Sequence, residues 1–194
     1  MLTSRLRKSL AAFVTLGGLW GLMSPTLAAS ITHQRAQSGQ HVILLEGVIS
    51  STDIVQMRKA LKASEGAVAI TVLLDSPGGV LYPAMEIGRM IRKAAASTVA
   101  VRQCASACHV IWAGGERRFV VSGSQLAIHY PYRDAKSAKQ PAFDAYSDLV
   151  NYYRQMGATP ELALDIAASD PNQLKVLSLN DAKRHGLAFA TLDQ

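Results

Sequence analysis

An α/β layer fold with parallel strands is predicted by two features of this chain. Strand-like and helical stretches alternate at short intervals, and residues 67–74 form a continuous apolar, β-branched run of the kind found in a strand buried on both faces. The connections are then expected to be right-handed crossovers. At 194 residues, 49% of them hydrophobic, the chain has enough apolar surface for one globular domain once a short N-terminal segment is set aside.

That segment comes first. Arg5, Arg7 and Lys8 precede an apolar run at 10–23, followed by Ser24-Pro25 and small residues at Thr26, Ala28 and Ala29. These are the three regions of a secretory signal peptide, so residues 1–29 are expected to be cleaved after Ala28 or Ala29 and the protein to be periplasmic or otherwise exported. An uncleaved signal anchor, and with it a membrane tether, is the alternative, because the stretch 9–29 just reaches across a bilayer. Gly17, Gly18, Gly21 and Pro25 make it a poor permanent span. The segment also holds three of the 20 basic residues and none of the 14 acidic ones, so the formal charge of +6 falls to +3 in the mature chain. No Lys/Arg block with interleaved aromatics occurs, and a nucleic-acid partner is not expected.

Residues 30–40 are polar and read as a flexible lead-in to a single domain at 41–194. Residues 42–49 read as a strand with a bulge or close approach at Gly47. Ser51/Thr52 open a helical pattern through Ile54, Met57, Ala60 and Leu61. After the strand at 67–74 and a Pro-Gly-Gly turn, helical spacing runs over 80–95. A short strand at 98–101 leads to a turn and a helix at 106–113, and strands follow at 119–121 and 125–129. Residues 130–140 turn polar and read as a mobile connector before a long helix at 141–156. Thr159-Pro160-Glu161 starts another helix with Pro in its first turn, running to Ala168. Ser178-Leu179-Asn180-Asp181 starts a last one, closed by Gly186.

Three motifs at strand ends carry chemistry: Leu74-Asp75-Ser76-Pro77-Gly78-Gly79, Cys104-Ala105-Ser106-Ala107-Cys108 and Ile128-His129-Tyr130-Pro131. A serine hydroxyl needs a base beside it and preorganised donors for the oxyanion that forms on attack. Ser106 at a strand-to-helix turn would project its Oγ from the sheet end, with the Ala107 N–H unpaired at the helix start. Gly78 or Gly79, after a different buried strand, offers a second N–H and permits close backbone approach. His129 is the best placed of the five histidines to act as base. Taken singly, Ser106 is an N-cap, Pro-Gly-Gly a turn and His129 a structural histidine; taken together and in this order they indicate acyl transfer.

The joint pattern, with Ala113-Gly114, Leu177-Ser178 and His185-Gly186-Leu187 added, resembles the ClpP family of serine peptidases within the wider ClpP/crotonase fold. The Cys-x-Ser-x-Cys form looks like the exported branch of that superfamily, and the resemblance spans about residues 42–187. It implies stacked ββα units with a protruding handle-like helix. It also implies Ser106 as nucleophile, His129 as general base, and Gly78 or Gly79 with Ala107 as oxyanion hole. Counting forward from Gly157, the family's orienting aspartate falls on Asp170; counting back from Leu177-Ser178, it falls on Leu174. Asp170 is chosen because a carboxylate fixes the imidazole tautomer, with a Ser–His dyad or help from Asn172 as alternatives.

Cys104 and Cys108 flank the nucleophile. In an exported protein disulfides persist, and i,i+4 spacing sets Cα atoms about 6 Å apart, so a Cys104–Cys108 bridge is expected. A zinc site at Cys104, Cys108 and His109 lacks ligands, and neither a metal nor another cofactor is expected. The 130–156 segment falls where ClpP-like proteins carry their assembly handle, and Tyr146, Leu149, Tyr152 and Tyr153 on a protruding helix would need burial, which argues for a homo-oligomer.

The leading function is an exported, ATP-independent serine peptidase acting on short peptides or unfolded polypeptides through an acyl-enzyme, with no ATPase partner because no ATP is supplied outside the cytoplasm. The alternative is a non-catalytic assembly or binding protein on the same fold. An acyl-CoA enzyme would not need Ser106, and no lysine sits at a strand end comparable to that of His129 for a Ser–Lys mechanism.

Overall fold

The computed structural model describes residues 28–135, 138–187 and 189–193. Its centre is a parallel ladder of β2 (Gln40–Glu46), β3 (Ala69–Ser76) and β4 (Ser97–Ala105), connected through α1 (Asp53–Ala63) and α2 (Leu81–Lys93). Ile43 and Leu45 of β2 and Val72 and Leu74 of β3 are fully buried. Each such side chain contributes about 1.5–3 kcal/mol by leaving water, which is why these apolar runs become central strands. Parallel pairing brings the carboxyl ends of β2, β3 and β4 to one edge, where α/β folds place their ligands.

β4 divides the sheet. Its first half pairs with β5 (Arg118–Val121), and its second half, Gln103 to Ala105, pairs with β6 (Gln125–Ile128). The register against β3 slips between Leu74 and Ser76, where Ser76 comes opposite Cys104; such an irregularity re-aims a strand end. In consequence β6, and His129 just after it, run alongside the end of β4. β9 (Lys175–Val176) adds antiparallel to β6 and β10 (Ala190–Leu192) parallel to β5, completing an eight-stranded sheet among the described residues.

α3 (Ala107–Ala113) is buried along its whole length. Arg92 holds its carboxyl end, donating to the carbonyls of Ala113 and Gly114 at 3.1 and 2.9 Å, and Arg118 donates to Ala113 at 3.1 Å. Two cations there complement the helix dipole and fix the axis whose other end is the Ser106 turn. α5 (Pro160–Ala167) begins at Thr159 with Pro in its first turn, and α6 (Leu179–Arg184) opens with a capping box between Ser178 and Asp181.

Three sequence expectations are corrected. Residues 30–40 are not simply a flexible lead-in: β1 (Ser30–Arg35) pairs antiparallel with β2 along its length, from Ser30 opposite Glu46 to Arg35 opposite His41. The strand covers the β2 edge, packs Ile31 against the core and sets His33 Nε2 2.9 Å from His41 Nδ1. Within the expected connector, β7 (Tyr132–Ala135) and β8 (Ala138–Pro141) form an antiparallel pair with Tyr132 opposite Pro141. Finally, α4 (Phe143–Gln155) does not hold its aromatic face out for a partner. Leu149, Tyr152 and Tyr153 are buried in the chain's own core, the Tyr152 hydroxyl donates to the Val110 carbonyl at 2.7 Å, and Tyr146 donates to Ala163 at 2.8 Å. Their burial needs no second copy.

Among the described residues no helix is long and apolar enough to cross a membrane. The expected signal segment lies outside the described residues except for Ala28 and Ala29. Ala29 is buried, and its N–H donates to Val48 at 2.8 Å.

Candidate active site

Ser106 sits where β4 ends and α3 begins, with φ 55° and ψ −122°. This is a conformation a non-glycine residue adopts only when its surroundings impose it. Here the Ser106 N–H donates to the Ala127 carbonyl on β6 at 2.9 Å, and its own carbonyl accepts from His109 N–H at 3.0 Å. Two residues to either side, Cys104 and Cys108 form the expected disulfide, both fully buried with Cα atoms 5.0 Å apart.

His129 Nε2 lies 2.7 Å from Ser106 Oγ, and His129 Nδ1 lies 2.6 Å from the Tyr130 carbonyl. A carbonyl only accepts, so Nδ1 carries the proton and Nε2 is free to accept from the serine hydroxyl. Burial lowers the pKa of His129 below the usual 6.5; the hydrogen bond to Tyr130 opposes this and the nearby charge of Lys139 adds to it. The imidazole is therefore held neutral, the form a general base needs. The Tyr132 ring packs on it, centroids 5.2 Å apart. The other four histidines are elsewhere: His33 pairs with His41, His109 is buried against Tyr153, and His185 binds Asp165.

The two glycines are separated in role by their surroundings. At Gly79 (φ 146°) a Cβ would stand 2.2 Å from the Ile49 carbonyl oxygen, because the chain beyond β2 runs against this turn. At Gly78 (φ 114°) a Cβ would stand 2.8 Å from that of Ser106. Gly78 gives its N–H to Ser76 Oγ at 3.1 Å. The N–H groups of Gly79 and Ala107 have no hydrogen-bond partner among the described residues, and both residues line the same cavity as Ser106 and His129. Gly79 and Ala107 thus bring two N–H groups without a partner to the cavity that Ser106 lines, and Gly78 packs behind the serine.

Asp170 does not join this group. It is exposed, and its carboxylate accepts from the backbone N–H and side-chain Nδ2 of Asn172 at 2.7 and 3.1 Å. Asn172 borders the cavity, but it is Tyr130 that meets His129 Nδ1. The sequence count to Asp170 assumed a side chain where the chain uses a main-chain oxygen.

The cavity measures about 670 Å³, with an apolar floor of Val110, Leu149, Tyr153 and Ile166 and a rim that includes Tyr132 and Lys139 of the β7–β8 pair. Lys139, which no strand-end motif in the sequence marks, sets its Nζ 4.2 Å from the Tyr132 ring centroid. Its signal, a lysine across a polar hairpin from an aromatic two residues after His-Tyr, becomes meaningful only once the hairpin is known. Among the described residues no group of three or more His, Cys, Asp or Glu is placed to hold a metal ion.

The sequence model of the Clp protease family matches residues 31–192, and the chain belongs to that family. Among solved structures, ClpP1 from Listeria monocytogenes is 21% identical over 79% of this chain and 91% of its own, with a TM-score of 0.63. A mutant of the 1510-N membrane-bound stomatin-specific protease is 18% identical over 77% of each chain, with a TM-score of 0.62. At these identities the likeness is one of fold. No curated protein sequence matches the chain.

Proposed function

We propose that this protein is an exported serine peptidase that hydrolyses short or unfolded polypeptides through an acyl-enzyme, without an ATPase partner. The observation that carries the reading is the 2.7 Å contact between Ser106 Oγ and His129 Nε2, beside two unpaired N–H groups.

Ser106 Oγ attacks the scissile carbonyl carbon as its proton passes to His129 Nε2. The oxyanion gathers the N–H groups of Gly79 and Ala107, and Tyr130 holds the Nδ1 proton of the imidazolium. Collapse breaks the C–N bond, the Nε2 proton goes to the leaving amine, and the acyl group stays on Ser106. Water, deprotonated by the same nitrogen, then releases the acid. The apolar floor favours an apolar side chain on the acyl side.

Export is supported by the charged, apolar and small-residue order of 1–29 and by the disulfide, a bond that persists in oxidising compartments. Assembly into a homo-oligomer is supported by membership of the family and by Phe143 and Leu164, which expose 76% and 68% of their surface. Turnover of a quenched apolar peptide by the mature protein without ATP tests the activity. Hydrolysis lost in Ser106→Ala supports it; a folded protein inert towards peptides leaves the non-catalytic binding role in its place.

A further inference from the structure

Lys139 stands apart from the other charged side chains near the site. Arg133, on the neighbouring strand, is paired with Asp144. Lys139 lines the cavity, half-buried, and no carboxylate among the described residues forms an ion pair with it, although Asp134 stands opposite it in the β7–β8 register. Its Nζ rests on the Tyr132 ring, 4.2 Å from the centroid, and reaches the Pro171 carbonyl at 3.5 Å. These contacts hold the charge in place without neutralising it.

The position of that charge relative to the chemistry follows from His129. In the peptidase reading, on which this inference rests, Nε2 must reach both Ser106 Oγ and the leaving nitrogen, so the leaving residues pass beside the imidazole. Tyr132 lies against that ring and Lys139 against Tyr132. An extended chain advances about 3.3 Å per residue, so the ammonium lies within reach of a group about one or two residues beyond the scissile bond.

We propose that Lys139 is a carboxylate-binding residue on the leaving-group side, which selects peptides whose C-terminal carboxylate lies one or two residues past the bond that Ser106 attacks. The enzyme then trims chain ends, and the apolar floor and the cation together read an apolar residue followed by a terminus. A salt bridge to a partly desolvated ammonium that is already oriented corresponds to a preference of about ten- to a hundredfold over an uncharged end.

The test is peptide binding to the Ser106→Ala protein, which needs no turnover. The probes are acetyl-Ala-Ala-Leu-Ala as free acid, the same peptide as carboxamide, and a carboxamide carrying Glu in the last position. The free acid is expected to bind at least about tenfold more tightly than the plain carboxamide, and the ratio to fall to about one when Lys139→Gln is added. Equal affinity for acid and carboxamide, or a ratio that survives Lys139→Gln, overturns the proposal. A Glu carboxamide bound as well as the free acid overturns the assignment to the chain terminus. In the protein that retains Ser106, fluorophosphonate labelling of Ser106 at a pH well above the acid limb of His129 should persist in Lys139→Gln; loss of labelling there would make Lys139 part of the proton-transfer machinery and overturn the subsite. Absence of labelling in the unsubstituted protein would count against the peptidase reading alone.

Discussion

His129 donates its Nδ1 proton to the main-chain carbonyl of its own neighbour, Tyr130, at 2.6 Å. The imidazole whose Nε2 meets Ser106 Oγ is thus oriented by the backbone that carries it, and its tautomer is set by a main-chain oxygen. A carbonyl oxygen has only a partial charge, so it stabilises an imidazolium less than an aspartate would. The arrangement supplies a fixed geometry and a neutral base.

Asp170→Asn should leave peptide turnover within about twofold of the unsubstituted protein, because the carboxylate reaches only Asn172 and surface changes of this kind have small effects. Steady-state kcat/KM on an apolar peptide checks this. A loss of a hundredfold or more would return Asp170 to the site.

The pH profile should rise with pH through the titration of His129. Burial disfavours its charged form, so the acid limb of kcat/KM has its midpoint below 6.5, and activity climbs to a plateau on the alkaline side of that midpoint. Replacing Lys139 by Gln removes a charge that lowers this pKa and should move the midpoint upward. An acid limb above 6.5 in the unsubstituted protein would contradict the neutral-base account.

Gly79→Ala should abolish activity. Its Cβ would stand 2.2 Å from a main-chain oxygen at Ile49, so the turn must move, and the Gly79 N–H moves with it. Loss of one oxyanion donor costs about 10²–10³ in kcat. Turnover measured beside a circular dichroism spectrum separates this from unfolding.

The protein should show no alkylatable thiol before reduction and two after it, since Cys104 and Cys108 are bonded to each other. The double variant Cys104→Ser/Cys108→Ser should lose about 2 kcal/mol in urea unfolding, the chain-entropy value for so short a loop. Intact-mass spectrometry and an unfolding curve supply the two readouts.

The parts of the site legible in the sequence are those whose chemistry is local. Ser106, Ala107 and Gly79 follow apolar strand runs, and strand ends on one edge of a parallel sheet must approach one another. His129 was visible for the same reason, as the residue after β6. Counting along a loop points to Asp170 but does not show which atom meets Nδ1, and a backbone carbonyl carries no residue signature. β1 was missed because its outward residues are polar and only Ile31 marks its inner face. β7 and β8 were missed because a hairpin at the rim of a cavity has no core to declare itself in its pattern. The burial of α4 reversed an inference drawn from its aromatic residues: helical spacing identified the apolar face but not the surface that covers it.

Activation of Ser106 by His129 is tested most directly by fluorophosphonate labelling of the protein with peptide mapping. A single adduct is expected on Ser106, absent in Ser106→Ala and slowed by orders of magnitude in His129→Ala. A folded protein that takes up no label, or one labelled equally fast without His129, would contradict it.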